Sequence, residues 1–375
     1  MITNPDKLLF PADGISKGEL AAYYEAVAPA MVPLIRNRPV TMERFPAGIA
    51  ATGFMQKNVS SGFPATLQRV EVPKKDGVVN YPLVRDAADL LWMVNQNCVT
   101  VHVWTSRVPE LERPDLCVFD LDPAEDDPAT LRAMTLAVRD LLAEVGLRSW
   151  VKTSGSKGFH VVVPMPSRAT YEDSSGLALR VATLLVERRP RDVTLEFAKA
   201  DRHDRIYLDI GRNRPGATFA AAYTVRAKPG APVSAPCTWE EIAAGAVHPQ
   251  TFRLRTMASL CIRRAVCGRS SQTCVPGTDV GIARNGPPVS VPGFGSHVSS
   301  WLAPPASHKV MIDFCRSAPR AWAARKSSGG RANQSPSDAA ASSRLRRVNV
   351  LPNMIGPWSV FGAGLSTSPS FLSVS

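Results

Sequence analysis

Apolar and polar positions change period several times along the first 257 residues, and each change marks an element. Leu20, Tyr23, Tyr24 and Val27 recur three and four apart, the spacing of a helix with one apolar stripe. Ser16 with Glu19 is a capping box that starts this helix, and Pro33 is expected to help end it. Ahead of it, residues 4–17 form an irregular arm punctuated by Pro5 and Pro11. Residues 39–45 read as a strand carrying Glu43 and Arg44, and residues 53–58 as a shorter strand-like piece that sets Lys57 near Phe54. Residues 67–72 and 78–83 alternate on either side of Lys74-Lys75-Asp76-Gly77, which predicts a hairpin. That turn matches a Lys-x-Asp-Gly ligase pattern, but Val72 stands where such ligases carry an acid, and Asp-Gly between strands is explained by turn geometry. Residues 86–97 follow as an amphipathic helix, and 98–107 as a strand with Val99, Val101 and Val103 on one face and His102 on the other.

The second half repeats strand, helix, strand. Cys117-Val118-Phe119-Asp120-Leu121-Asp122-Pro123 is an apolar run that ends in two carboxylates. Pro128 opens a helix to about residue 145, with Leu131, Val138, Leu141 and Leu142 facing inward. Strands at 149–153 and 161–163 enclose the glycine-rich Ser154-Gly155-Ser156-Lys157-Gly158-Phe159-His160. A helix at 171–186, a short strand at 193–196 and a charged loop at 199–205 lead to the strand of Ile206 to Asp209, which continues through Arg212 and Asn213. Residues 220–227 carry Tyr223 and Arg226, and 239–244 is a short helix.

The chemistry sits at the interruptions. Asp120 and Asp122 are two apart, so both project from one face of their strand, where like charges repel unless a cation is shared. Alone, Asp-x-Asp is more often a strand running out into a polar turn. Asp209 breaks another apolar strand, where an unpaired carboxylate is costly and requires a metal or an arginine. The glycine loop lies between strands and is therefore not a P-loop, which needs a helix after its lysine. It nevertheless offers backbone N–H groups, the Ser154 hydroxyl, Lys157 and His160 to an anion such as a triphosphate.

Composition divides the chain in two. With 375 residues and 45% apolar content, it is long enough for two domains and for a sizeable core. Its net charge of +12 is concentrated in residues 258–375, which hold 13 Lys/Arg against three acids (Asp279, Asp313, Asp338) and no Glu. Residues 1–257 hold 31 basic against 29 acidic residues, so nucleic-acid binding has to be argued there from local clusters. The tail strings Gly, Pro, Ser, Ala and Arg without a period, which predicts disorder. Its lack of Glu points to a reading-frame shift near residue 257 in preference to a natural basic linker. Cys98, Cys117 and Cys237 are scattered singly, and Cys261, Cys267 and Cys274 lack zinc-site spacing, which fits a reducing compartment. With no signal-peptide pattern and no run long enough to span a bilayer, a cytoplasmic protein without a membrane partner is expected.

Taken in order, the Asn4-Pro5-Asp6-Lys7 arm, Gly53-Phe54-Met55-Gln56-Lys57-Asn58, His102, Asp120-Leu121-Asp122-Pro123, Lys152 to His160, Asp209 to Asn213 and Arg226 to Pro232 resemble the polymerase domain of bacterial DNA ligase D, within the archaeo-eukaryotic primase superfamily. The resemblance covers about residues 3–257, and Met55 stands where many relatives carry a second aromatic. It implies an α/β (α+β) primase-like fold, with two small sheet layers facing each other across an acidic cleft. It also implies that Asp120, Asp122 and Asp209 bind two metal ions, Mn2+ or Mg2+, as the catalytic triad. Ser154, Lys157 and His160 would hold the nucleoside triphosphate, with His102, Arg212 and Arg226 lining its site. Asn4, Lys7 and Lys17 would grip a DNA 5′-phosphate, and Arg44, Phe54 and Lys57 would contact template. The implied activity is DNA-end-directed nucleotide addition, ribonucleotides preferred, in end joining with Ku and a separate ATP-dependent DNA ligase. The alternatives are a primase that starts chains from nucleotides alone, and a non-catalytic DNA-end binding module, against which the intact carboxylate triad argues. With no ligase or phosphoesterase portion after it, a stand-alone polymerase is expected.

Overall fold

A computed structural model describes residues 2–59 and 62–257. The expectations for the tail, its disorder, its frameshift origin and its cysteines, fall outside the described residues. In chain order the elements are β1 (Leu8–Phe10), β2 (Ile15–Ser16), α1 (Lys17–Ile35), β3 (Val40–Arg44), β4 (Phe54–Gln56), β5 (Arg69–Lys74), β6 (Gly77–Pro82), α2 (Ala87–Asn95), β7 (Cys98–Trp104) and β8 (Leu116–Asp122). They continue with α3 (Pro128–Glu144), β9 (Trp150–Thr153), β10 (Phe159–Pro164), α4 (Tyr171–Arg188), β11 (Val193–Thr194), α5 (Lys199–Arg202), β12 (Ile206–Asp209), β13 (Thr218–Ala220), β14 (Pro236–Cys237) and α6 (Trp239–Ala243).

Two larger sheets organise these elements. One has six strands in the order β11-β12-β8-β10-β9-β14, and the other has four, β13-β7-β3-β4. Only β11 and β12 pair in parallel in the six-stranded sheet; its other pairings are antiparallel, which makes the architecture α+β. Alternation along β8 decides which face does what. Cys117, Phe119 and Leu121 are fully buried, and α3 and α4 pack against this sheet, the Cys117 thiol reaching the Ser174 carbonyl of α4. Asp120 and Asp122 then necessarily face the other way. On that side the two sheets approach each other, with the Phe219 ring of β13 set edge-on to His160 of β10 at 6.1 Å between centroids.

The local signals explain the element starts. Reciprocal capping boxes open α1 (Ser16 with Glu19), α4 (Thr170 with Asp173) and α6 (Thr238 with Glu241). Pro33 does not end α1: the helix carries both Pro29 and Pro33 and runs on to Ile35, because its buried apolar stripe outweighs the backbone bonds the prolines remove. The β5–β6 hairpin turns at Lys74-Lys75-Asp76-Gly77, Lys74 pairing directly with Gly77. Among the described residues, no helix is long and apolar enough to cross a membrane.

Candidate active site

Strand register assembles the site. Asp209 of β12 stands opposite Asp120 of β8, Asp120 opposite His160 of β10, and His160 opposite Lys152 of β9. Cross-strand partners share a face, so these four side chains form one row across four strands. Tyr207 and Asp122, themselves partners, lie one step along on the same face.

Charge in the row is balanced by arginine. The Arg212 guanidinium lies 3.0 Å from Asp209 Oδ2 and 3.5 Å from Asp120 Oδ2, bridging carboxylates that would otherwise repel. Asp209 Oδ1 also accepts the Gly211 N–H at 2.8 Å. Asn213 holds this segment in place. Its side chain accepts the Val118 N–H at 2.7 Å and donates to the Val118 carbonyl at 2.8 Å, continuing the edge of β12 along β8 as a strand would. Burial alone would raise the Asp120 carboxyl, but His160, Arg212 and Lys152 together hold it well below the usual carboxylate range. His160 Nε2 lies 3.3 Å from Asp120 Oδ1, while burial and Lys152 behind it lower its pKa to about 4. At neutral pH His160 is therefore uncharged, with Nε2–H toward Asp120 and a buried, unpartnered Nδ1. Asp122 is drawn to Arg202, its Oδ2 lying 3.2 Å from Arg202 Nη1.

The glycine loop is built around Ser154, whose hydroxyl accepts the N–H groups of both Ser156 and Gly158 at 3.1 Å. Those two amides are therefore not offered to an anion, contrary to the sequence expectation for the loop as a whole, and Ser154 keeps one hydroxyl proton to donate. Arg226 Nη1 donates to the Ser154 carbonyl at 2.7 Å from behind. Gly155 adopts φ +64°, and a Cβ there would meet the Arg226 side chain at 2.7 Å, so only glycine lets the loop close on its arginine. Lys157 is exposed and lines a cavity of about 560 Å3 with Arg132, Asp126, His248 and Gln250; none of the three aspartates lines it.

The four-stranded sheet adds its own pair. His102 Nε2 lies 3.5 Å from Glu43 Oε2; burial lowers the His102 pKa, with Glu43 opposing, and Arg226 lies close enough to influence both residues. On β3 and β4 the Arg44 guanidinium stacks over its cross-strand partner Phe54, 5.3 Å from the ring centre, and Phe54, Met55 and Lys57 are exposed. In the N-terminal arm Lys7 donates to the Pro46 carbonyl and Lys17 Nζ lies 3.3 Å from Thr3 Oγ1. Burial first, and then the nearby Lys7, lower the Lys17 pKa, and the Lys17 N–H donates to the Lys7 carbonyl at 2.8 Å, which holds the two backbones side by side. Asn4 opens the turn that leads into Lys7, its carbonyl accepting the Lys7 N–H at 3.1 Å.

The donors suit a hard divalent cation, since carboxylate oxygens are what magnesium and manganese take. Among the described residues, however, no three such side chains already converge on one point; Arg212 and Arg202 neutralise the carboxylates instead. The residues that sequence reasoning left without a role are Glu43, Lys152, Arg202 and Tyr207, all brought to the site by register or by a loop return.

Facing sheets, a carboxylate row and a strand-bordered glycine loop define a nucleotidyltransferase of the primase-polymerase class. A family model described as LigD, primase-polymerase domain, matches residues 16–265. The chain is 38% identical over 245 residues to the multifunctional non-homologous end joining protein LigD of Mycolicibacterium smegmatis, covering 64% of this chain and 32% of that protein. It is 36% identical over 250 residues to the LigD end-joining DNA repair protein of Mycobacterium tuberculosis, covering 64% and 33%. A solved structure, the polymerase domain from Mycobacterium tuberculosis ligase D in complex with DNA, matches with a TM-score of 0.66 at 33% identity, over 70% of this chain and 94% of that one. The chain thus belongs to the LigD primase-polymerase domain family, and it spans about a third of the length of these curated relatives.

Proposed function

We propose that residues 2–257 form a catalytic unit that adds nucleotides to DNA 3′ ends and fills gaps during non-homologous end joining, with ribonucleotides preferred. The observation that carries this reading is the row Asp209, Asp120, His160, Lys152, set beside the glycine loop. The reaction joins a strand's 3′-hydroxyl oxygen to the α-phosphorus of a nucleoside triphosphate, breaks the bond to the β-phosphate and releases pyrophosphate. Asp120, Asp122 and Asp209 would hold two divalent ions, Mn2+ or Mg2+, which supply charge neutralisation and a lowered pKa at the attacking hydroxyl. The Ser154 hydroxyl proton, the Lys157 ammonium and Arg212 bind phosphate oxygens, Arg226 braces the loop, and His102 and His160 orient the nucleotide. Lys7, Lys17 and Asn4, at the start of α1, grip the 5′-phosphate across a gap, and Arg44, Phe54 and Lys57 carry template. Ku and a separate ATP-dependent ligase are the proposed partners.

The test is labelled-nucleotide incorporation on a gapped, 5′-phosphorylated duplex with manganese, comparing the wild-type protein with Asp120→Asn. Loss of at least a hundredfold in the variant, with an unchanged melt, supports the reading; near-normal incorporation overturns it. Lys7→Ala/Lys17→Ala should weaken binding to the 5′-phosphorylated gap by at least about tenfold, since charge-assisted bonds are worth about 1.5–3 kcal/mol each, and leave a 5′-hydroxyl gap nearly unaffected. Equal losses on both would remove the end-recognition part.

A further inference from the structure

The six-stranded sheet gives the acid row two different flanks. On the β10 side lies the glycine loop with Lys157. On the β12 side the chain leaves β11, passes Phe197, forms α5 and returns as β12. Phe197 is 79% exposed, the highest value among the large apolar side chains described.

Single exposed apolar residues are ordinary on protein surfaces and need no explanation by themselves. Phe197 differs in being held. Arg202, itself buried, donates to the Phe197 carbonyl at 2.7 Å and to the Glu196 carbonyl at 3.2 Å, which fixes the backbone on both sides of the ring's attachment. The same guanidinium stacks over Tyr207, 4.1 Å from its ring centre, and reaches Asp122 with its remaining nitrogen. The Phe197 ring meets Tyr207 edge to face at 6.2 Å, and Tyr207 is the cross-strand partner of Asp122. An apolar face is thus kept in water by a buried arginine, beside the most exposed carboxylate of the site.

Joining a nucleotide to a strand requires two entries to one row of carboxylates. If the loop and its lysine receive the triphosphate, the strand terminus comes in over β12. A terminal base has a π face of any sequence, and an exposed phenylalanine offers a matching one; the exposed Lys199 two residues on offers charge to the strand's phosphates. We propose that Phe197, backed by Tyr207 and Arg202, is the stacking seat for the 3′-terminal base of the strand being extended. The proposal rests on the nucleotidyltransferase reading above.

The test uses the full chain and a gapped duplex with 2-aminopurine as the 3′-terminal base, without nucleotide or metal, so that the first readout is binding and not catalysis. With the wild-type protein and Asp120→Asn, the 2-aminopurine emission should change on binding as the base stacks. Phe197→Ala should lose this change while still binding the duplex, and Phe197→Tyr should restore it. A probe placed in the middle of the primer duplex should respond alike in all four proteins. In incorporation assays Phe197→Ala should raise the KM for primer about tenfold, the size expected for one base-aromatic stack, and leave the KM for nucleotide unchanged. An unchanged terminal signal in Phe197→Ala, or a loss that tyrosine fails to restore, overturns the proposal. Failure of the wild-type protein to incorporate any nucleotide would instead overturn the functional reading, and a Phe197-dependent terminal signal would then still assign the seat.

Discussion

Gly158 lies directly on the carbonyl of Leu121: a Cβ at Gly158 would stand 1.6 Å from that oxygen. One position thereby ties the glycine loop to the strand that carries Asp120 and Asp122. Since neither backbone can yield to a methyl at that distance without moving the other, Gly158→Ala should shift the loop, the acid strand or both. The expected result is a loss of about 2–4 kcal/mol in denaturant unfolding and loss of nucleotide binding by calorimetry. Gly176→Ala, where a Cβ would meet nothing within 4 Å, is the control and should keep both.

Much of this was legible in the sequence, and the gaps have one physical cause. Asp120, Asp122, Asp209 and the glycine loop could be found because each breaks a hydrophobic pattern within its own segment. The capping box of α1 is equally local. Lys152 and Glu43 gave no such sign, since each sits where a strand tolerates a polar residue and gains its meaning from a partner on another strand. Register between strands far apart in sequence is set by turns and packing together. Arg202 lay within a run of charges that reads as a solvated loop, and only its return onto Tyr207 and Asp122 sets it apart.

Asn213 is fully buried and supplies Val118 with both halves of a strand pairing. Asn213→Leu keeps the volume but leaves a backbone donor and acceptor unpaired, each costing about 1–3 kcal/mol. The variant should lose roughly 2–5 kcal/mol in urea unfolding. Because Asn213 follows Arg212, whatever folded protein remains should also lose nucleotide addition. A stable, active Asn213→Leu protein would show that the side chain merely fills space.

Glu43 orients His102 through the Nε2 contact of 3.5 Å and opposes the effect of burial on the imidazole. Removing the carboxylate removes a group that raises the His102 pKa, so in Glu43→Ala the imidazole should titrate lower still, an outcome read by NMR. The nucleotide KM should rise several-fold with kcat nearly unchanged, because the loss is one of positioning a binding group. Glu43→Gln, which can still accept the hydrogen bond, should recover most of the KM. A rise in neither parameter would place Glu43 outside the nucleotide site.

Lys152 is fully buried, with its ammonium against Ser234 Oγ and 5.8 Å from the centre of the Phe219 ring. Burial first, and then the charge of Arg226, lower its pKa to about 7. The unfolded chain keeps an ordinary lysine, protonated up to about pH 10.4. Between these two values the unfolded state binds more protons than the folded one, so this group makes stability rise with pH. Buried Cys98 and Cys237 act in the opposite sense at higher pH: burial raises their thiols, and the unfolded chain ionises first. The informative window is therefore pH 7 to 8.5, where the lysine should add about 1–2 kcal/mol. Urea unfolding in the presence of a chelator should show that gain in the wild-type protein. In Lys152→Met, which keeps the length of the side chain without a titrating group, the gain should be absent, and the difference between the two proteins should change by that amount across the window. Parallel curves would mean that Lys152 keeps its charge in the folded protein, and that the carboxylate row reaches it more strongly than burial does.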